Sequence, residues 1–128
     1  METILYHSTN KNAAKVSLKD TLLIGQAPDK GLYMPERIDK IPLREIVSYH
    51  DKDYYEIAFN VLKRYTKGEI PDDKLLQLCK ECYNYDVPLE GVYDRNYIMR
   101  LDQGPTASFK DFAARMMARM MRYFLEQE

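Results

Sequence analysis

No tryptophan occurs among the 128 residues, glycine is scarce at 5, and cysteine is limited to 2. So few cysteines exclude a disulfide scaffold. The opening stretch from Met1 to His7 also lacks the basic-then-apolar order of a secretory leader. Together these point to a reduced, cytoplasmic setting. No apolar run approaches the roughly 20 residues that span a bilayer, which argues against a membrane partner. Neither charge sign is in excess: 19 Lys and Arg stand against 20 Asp and Glu, a net charge of -1. That balance provides no global field to draw in nucleic acid. Scarce glycine leaves no Gly-rich phosphate loop, and neither an internal repeat nor a low-complexity linker is found.

What remains is an ordinary globular balance, 45% hydrophobic and 30% charged. A chain of this length buries about two thirds of its unfolded surface, enough for one modest core. The surpluses are 11 Tyr and 7 Met, four of the latter at Met116, Met117, Met120 and Met121.

Residues Thr3 to His7 alternate weakly and predict a short strand. Ser17 and Asp20 fit a capping box, opening a helix from about Leu18 to Ile24 that Gly25 can stop. Ala27-Pro28-Asp29-Lys30-Gly31 is turn chemistry, and Leu32-Tyr33-Met34 before Pro35 is extended. Pro42 predicts a short helix through about Tyr49. Tyr54, Ile57, Ala58, Val61, Leu62 and Tyr65 recur at helical spacing, with Asp53 as cap and Gly68 as stop. Pro71 opens a further helix whose Leu75, Leu78, Cys79 and Cys82 share a face. These two helices should form an antiparallel hairpin. Pro88 and Gly91 mark Val87 to Arg95 as a loop, and Tyr97 to Leu101 reads as a strand. A last helix runs from Phe109 nearly to the end, with the methionines on its apolar stripe. Near residues 84–92 helices give way to strand, turn and helix, dividing the chain into 1–86 and 87–128.

Cys79-Lys80-Glu81-Cys82 has Cys-x-x-Cys spacing, but zinc needs about four ligands and both histidines lie far off in sequence. On a helical apolar face, core packing is the stronger reading. Arg115, Arg119 and Arg122 beside the methionine stripe are a solvated face rather than a nucleic-acid helix.

The order strand, glycine-bearing turn, helix places the turn at Gly104 and the last helix's N-terminus at a sheet edge that ligands favour. Ser108 is the expected N-cap and Asp111 the second half of a capping box. Lys110 then falls in the first turn, where the helix dipole disfavours a cation. The dipole contributes only about 0.3–1 kcal/mol, under one unit at about 1.36 kcal/mol per pKa unit. Water exclusion, worth up to about 3–5 units, would have to supply the free amine that attack on an aldehyde needs. On the charge pattern alone, a solvated first-turn lysine is the stronger reading. Thr106 and Ser108 are candidates for an anion contact at the helix terminus, with capping the stronger competitor. Phe109 and Asp111 serve as packing and capping supports.

Gly104-Pro105-Thr106-Ala107-Ser108-Phe109-Lys110-Asp111-Phe112 resembles the cofactor-lysine segment of threonine synthases, within the tryptophan-synthase-like pyridoxal-phosphate enzymes. Ser8-Thr9, Val16-Ser17-Leu18, and the run from Gly25 to Glu36 are similar to the N-terminal signature of the same family. The two matches stand in the right order and spacing. This chain departs in two places: Asn10-Lys11 replaces the usual Arg-Gly, and Lys30 stands where glycine is common.

The resemblance implies an α+β fold: a helical N-terminal domain with short strands, then the first strand and helix of a truncated α/β cofactor domain. It implies pyridoxal phosphate held through the Lys110 amine, with Lys110 then serving as proton shuttle. The implied reaction turns O-phosphohomoserine and water into threonine and phosphate. Family members continue for several hundred residues, so the 128-residue chain alone is expected to be inactive. A phospholyase that eliminates phosphate without adding water is a close rival. A non-catalytic interaction domain using the Met-rich helix is a rival from another class, and that helix, if uncovered, would drive self-association.

Overall fold

A computed structural model describes residues 3–128. The chain opens with strand β1 (Tyr6–Ser8), which pairs antiparallel with β2 (Tyr33–Pro35) in the register Tyr6 to Pro35, His7 to Met34 and Ser8 to Tyr33. Period-two geometry turns Tyr6 and Ser8 inward and His7 outward. The strand thus begins three residues and ends one residue later than predicted, because pairing with β2 and a bridge from Tyr6 to Val16 fix its limits. Between the strands lies α1 (Leu18–Ile24), bounded as expected. Ser17 Oγ accepts from the Asp20 N–H at 3.1 Å, and Gly25 ends the helix at φ +79°, a backbone region that suits glycine.

Pro42 precedes α2 (Leu43–Val47), and a 3-10 turn (Ser48–Asp51) replaces the last part of the predicted helix. Helix α3 (Tyr54–Thr66) begins at Asp53, whose own N–H donates to Glu56 Oε2 at 2.9 Å. Beyond it Gly68 adopts φ +83°, and a Cβ there would meet Thr3 Oγ1 at 2.7 Å. Helix α4 (Asp72–Cys82) packs on α3, and Tyr54 at the head of α3 meets Tyr83 past the foot of α4, ring centroids 5.3 Å apart. The pair is therefore the antiparallel hairpin that the periodicity predicted.

Strand β3 (Leu89–Tyr93) occupies the segment expected as loop and pairs antiparallel with β4 (Asn96–Met99). Pro88 lies just outside the strand, and Gly91 pairs with Tyr97 within it. Turn residues alone therefore did not decide the conformation; cross-strand pairing did. The α+β class holds. Where the first strand and helix of an α/β cofactor domain were expected, the described residues show β4 paired only with β3, followed by a helix.

Helix α5 (Asp111–Leu125) lies against α1 and α4. Its Met116, Met120 and Phe124 enter one core with Ile4, Leu18, Leu75, Cys79 and Cys82. Met116 and Met120 are therefore core, as the helical spacing predicted, and the uncovered face on which self-association would depend is not seen at the methionines: of the four, only Met117 is widely exposed, at 49%. The β3–β4 hairpin, by contrast, exposes Leu89, Val92, Tyr93, Tyr97, Ile98 and Met99. Both cysteines are free and fully buried, as core packing required. Among the described residues no cluster could hold a metal ion, and no helix is long and apolar enough to cross a membrane.

Candidate functional site

The hairpin hands the chain to the glycine-bearing turn through Arg100. Its N–H donates to the Pro88 carbonyl at 2.9 Å, and its guanidinium binds both Asp102 oxygens, at 2.9 and 2.7 Å, and Glu90 at 2.8 Å. The Arg100 bonds hold the Asp102 carboxyl well below the usual range. Five residues beyond Asp102, the Ala107 N–H closes a turn on the Gly104 carbonyl at 3.0 Å, with Ala107 at φ +53°.

Asp111 pins this turn to the start of α5. Its side chain is 4% exposed, and the carboxylate accepts from Thr106 N–H at 3.0 Å and Thr106 Oγ1 at 2.8 Å. Burial pushes its pKa up, but the Thr106 bonds and the Ser108 backbone N–H outweigh burial and leave it lowered. Gly104 is required for this approach: a Cβ there would lie 2.7 Å from Asp111 Cβ and 2.8 Å from its Cγ. No real side chain fits that space.

The helix begins two residues later than the sequence predicted, because Ser108 to Lys110 form a tighter turn. Asp111 N–H donates to Ser108 O at 3.0 Å and Phe112 N–H to Phe109 O at 3.3 Å, before the Lys110 carbonyl accepts from Ala114 at 2.8 Å. Ser108 Oγ accepts from the Lys110 N–H at 3.3 Å, so it caps the turn rather than the helix proper. Lys110 is the last residue before α5, exposed, and its amine has no ion pair or hydrogen bond among the described residues. Phe109 beside it is 65% exposed. Thr106, Ser108 and Asp111 are thus joined in one hydrogen-bonded unit, with the Lys110 amine and Phe109 ring projecting from it.

Two contacts escaped the sequence. Tyr83 Oη donates to the Phe112 carbonyl at 3.1 Å, and the Phe112 ring meets Tyr85 edge-on at 5.3 Å. The tyrosine surplus signalled aromatic packing without locating it.

A family model for the threonine synthase N terminus matches residues 5–83, well over half of the chain. This chain belongs to the threonine synthase family. The threonine synthase of Pseudomonas aeruginosa is 34% identical over 125 residues, covering 94% of this chain and 27% of that protein. The Schizosaccharomyces pombe threonine synthase is 30% identical, covering 98% of this chain and 26% of that protein. The crystal structure of pyridoxal-phosphate-bound threonine synthase from Brucella melitensis superimposes with a TM-score of 0.93 at 35% identity, over 98% of this chain and 28% of that one. The Escherichia coli enzyme, at 23% identity and TM-score 0.90, supports the fold. The chain therefore spans just over a quarter of the length of the threonine synthases it matches.

Proposed function

We propose that these residues form the lysine-bearing part of a threonine synthase that uses pyridoxal phosphate to convert O-phosphohomoserine and water into threonine and phosphate. The observation that carries this reading is the Lys110 amine, unpaired and exposed on a turn that Asp111 and Gly104 make rigid. An amine with no competing carboxylate is free to bind an aldehyde, so the residues present fit the cofactor. Residues 87–128 would open the cofactor domain, and residues 1–86 the domain before it.

Pyridoxal phosphate supplies the electron sink for proton transfers and phosphate elimination. The chain's own residues supply orientation. Asp111 fixes the turn, Ser108 Oγ holds the Lys110 N–H, and Lys110 Nζ holds the cofactor and then carries protons to and from the substrate carbons. Phe109 beside the amine offers an apolar surface from which water can be excluded once it is covered.

The test is to mix pyridoxal phosphate with the full-length protein, reduce with borohydride and map the modified residue by mass spectrometry. Lys110 is expected as the modified residue, with threonine as the product from O-phosphohomoserine. Labelling at another lysine removes the assignment, and an oxo acid product instead identifies a phospholyase. The 128-residue chain alone, with Lys110 open to water, is expected to show weak and unselective labelling.

A further inference from the structure

One bond from outside the turn reaches the first residues of α5. Tyr83, just past α4, donates to the Phe112 carbonyl two residues beyond Lys110. The Phe112 ring is met edge-on by Tyr85 at 5.3 Å and Tyr54 at 6.2 Å, and Tyr54 in turn meets Tyr83 at 5.3 Å. One helical turn on, Arg115 donates to Glu81 O at 2.9 Å and Asn84 Oδ1 at 3.2 Å, with its guanidinium over the Tyr85 ring at 5.5 Å. The tail of α4 therefore grips α5 along its first two turns. A carbonyl inside an α-helix already has a ladder partner four residues on. The Tyr83 phenol is thus not needed to satisfy the helix; what it adds is a fixed point.

We propose that Tyr83 is a positioning residue: through the Phe112 carbonyl it sets the rotation of the first turn of α5, and so the direction in which Lys110 leaves it. This rests on the assignment of Lys110 as the cofactor residue. Tyr83 touches neither cofactor nor substrate. It sits in the part of the chain that precedes the lysine turn, so that part contributes to the chemistry through orientation.

Tyr83→Phe in the full-length protein keeps the ring and its edge contact and removes only the hydroxyl. Tyr123→Phe, at the far end of α5, is the control. Four quantities are read: borohydride labelling, melting midpoint, kcat and KM, and the pH midpoint of the cofactor absorbance. Tyr83→Phe is expected to melt within about 3 °C of wild type. Its kcat should fall by about 3- to 10-fold at nearly constant KM, the consequence of losing one neutral hydrogen bond from the arrangement of the reacting amine. The pH midpoint should move, and Tyr123→Phe should match wild type throughout. If Tyr83→Phe retains wild-type kcat and pH midpoint while wild type labels at Lys110, the positioning role is refuted. A fall in kcat matched by a fall in melting midpoint, with the pH midpoint unmoved, makes Tyr83 merely structural and refutes it equally. Wild type labelling elsewhere overturns the Lys110 assignment itself, a different failure seen in a different measurement.

Discussion

Lys11 and Lys30 occupy left-handed backbone, at φ +61° and +67°. These are two places where the sequence departs from the family's glycine habit. Each ends a tight turn: Lys11 N–H donates to Ser8 O at 3.0 Å and Lys30 N–H to Ala27 O at 2.8 Å. Such a conformation costs a residue with a Cβ about 1–2 kcal/mol. Glycine relieves that cost, and its greater freedom in the unfolded chain offsets about 0.5–1 kcal/mol of the relief. A net gain of about 0.5–1 kcal/mol per site follows for Lys11→Gly and for Lys30→Gly. The two turns are tied through Asp29, whose carboxylate accepts from Ser8 Oγ at 2.6 Å, Asn12 N–H at 2.9 Å and Gly31 N–H at 3.0 Å. None of those bonds involves a lysine side chain, so both glycines leave the network intact. Near this chain length about 1 kcal/mol corresponds to about 4 °C, and the double variant should melt about 4–8 °C above wild type. Thermal melts of the two single variants and the double variant, followed by far-ultraviolet circular dichroism, decide the matter. If the midpoints stay put or fall in all three, the turns are not strained at these residues and the reasoning fails.

Two further predictions concern the core and one helix start. Glu69 accepts from the Leu18 and Lys19 N–H groups, both at 2.9 Å, and so caps α1 from a distance in sequence. Glu69→Ala should cost about 1–3 kcal/mol by baring those donors. Hydrogen exchange at Leu18 and Lys19 should then accelerate, and unchanged protection would show that other groups satisfy them. Burial, with Cys82 adding to it, pushes the Cys79 thiol up to about 12. The folded state therefore holds that proton more tightly than the unfolded state. The stability it contributes is complete below about pH 8.5 and is lost as pH rises toward the folded value. Urea midpoints should accordingly be flat below that pH and fall above it. Near neutral pH neither cysteine should react with a thiol reagent until the chain unfolds; prompt modification of the native protein would contradict the burial.

The sequence marked elements wherever the deciding interaction was local. Ser17 and Gly25 bound α1, Asp53 and Gly68 bracket α3, and the Cys79–Cys82 face turned inward, because caps and helical periodicity act within a few residues. It was least informative where partners are distant. Strand β3 exists because β4 pairs with it, and a reading of Pro88 and Gly91 in isolation gave a loop. The methionine stripe had an apolar face but no visible partner until α1 and α4 supplied one. At the site, the lysine and its supports were legible as a motif. The way they are held was not: Asp111 reaches back five residues to Thr106, and Tyr83 reaches forward 29 to Phe112.

A first-turn lysine faces the positive end of a helix dipole, and an uncharged amine is favoured there to a small extent. The folded chain places Lys110 just before α5, and at that helix end the buried Asp111 carboxylate accepts from Thr106 and the Ser108 N–H. Asp111 holds the turn in place through these bonds. Because the dipole contributes only about 0.3–1 kcal/mol, the proposed function requires enclosure to ready the amine for an aldehyde. The exposed apolar surface that enclosure would use begins at Phe109 beside Lys110, with Leu101, Met99 and Ile98 exposed on the strand and turn that lead to it. Under the proposed function geometry and burial would divide the work: residues up to Asp111 would aim the amine, and a surface covering Phe109 would make it reactive.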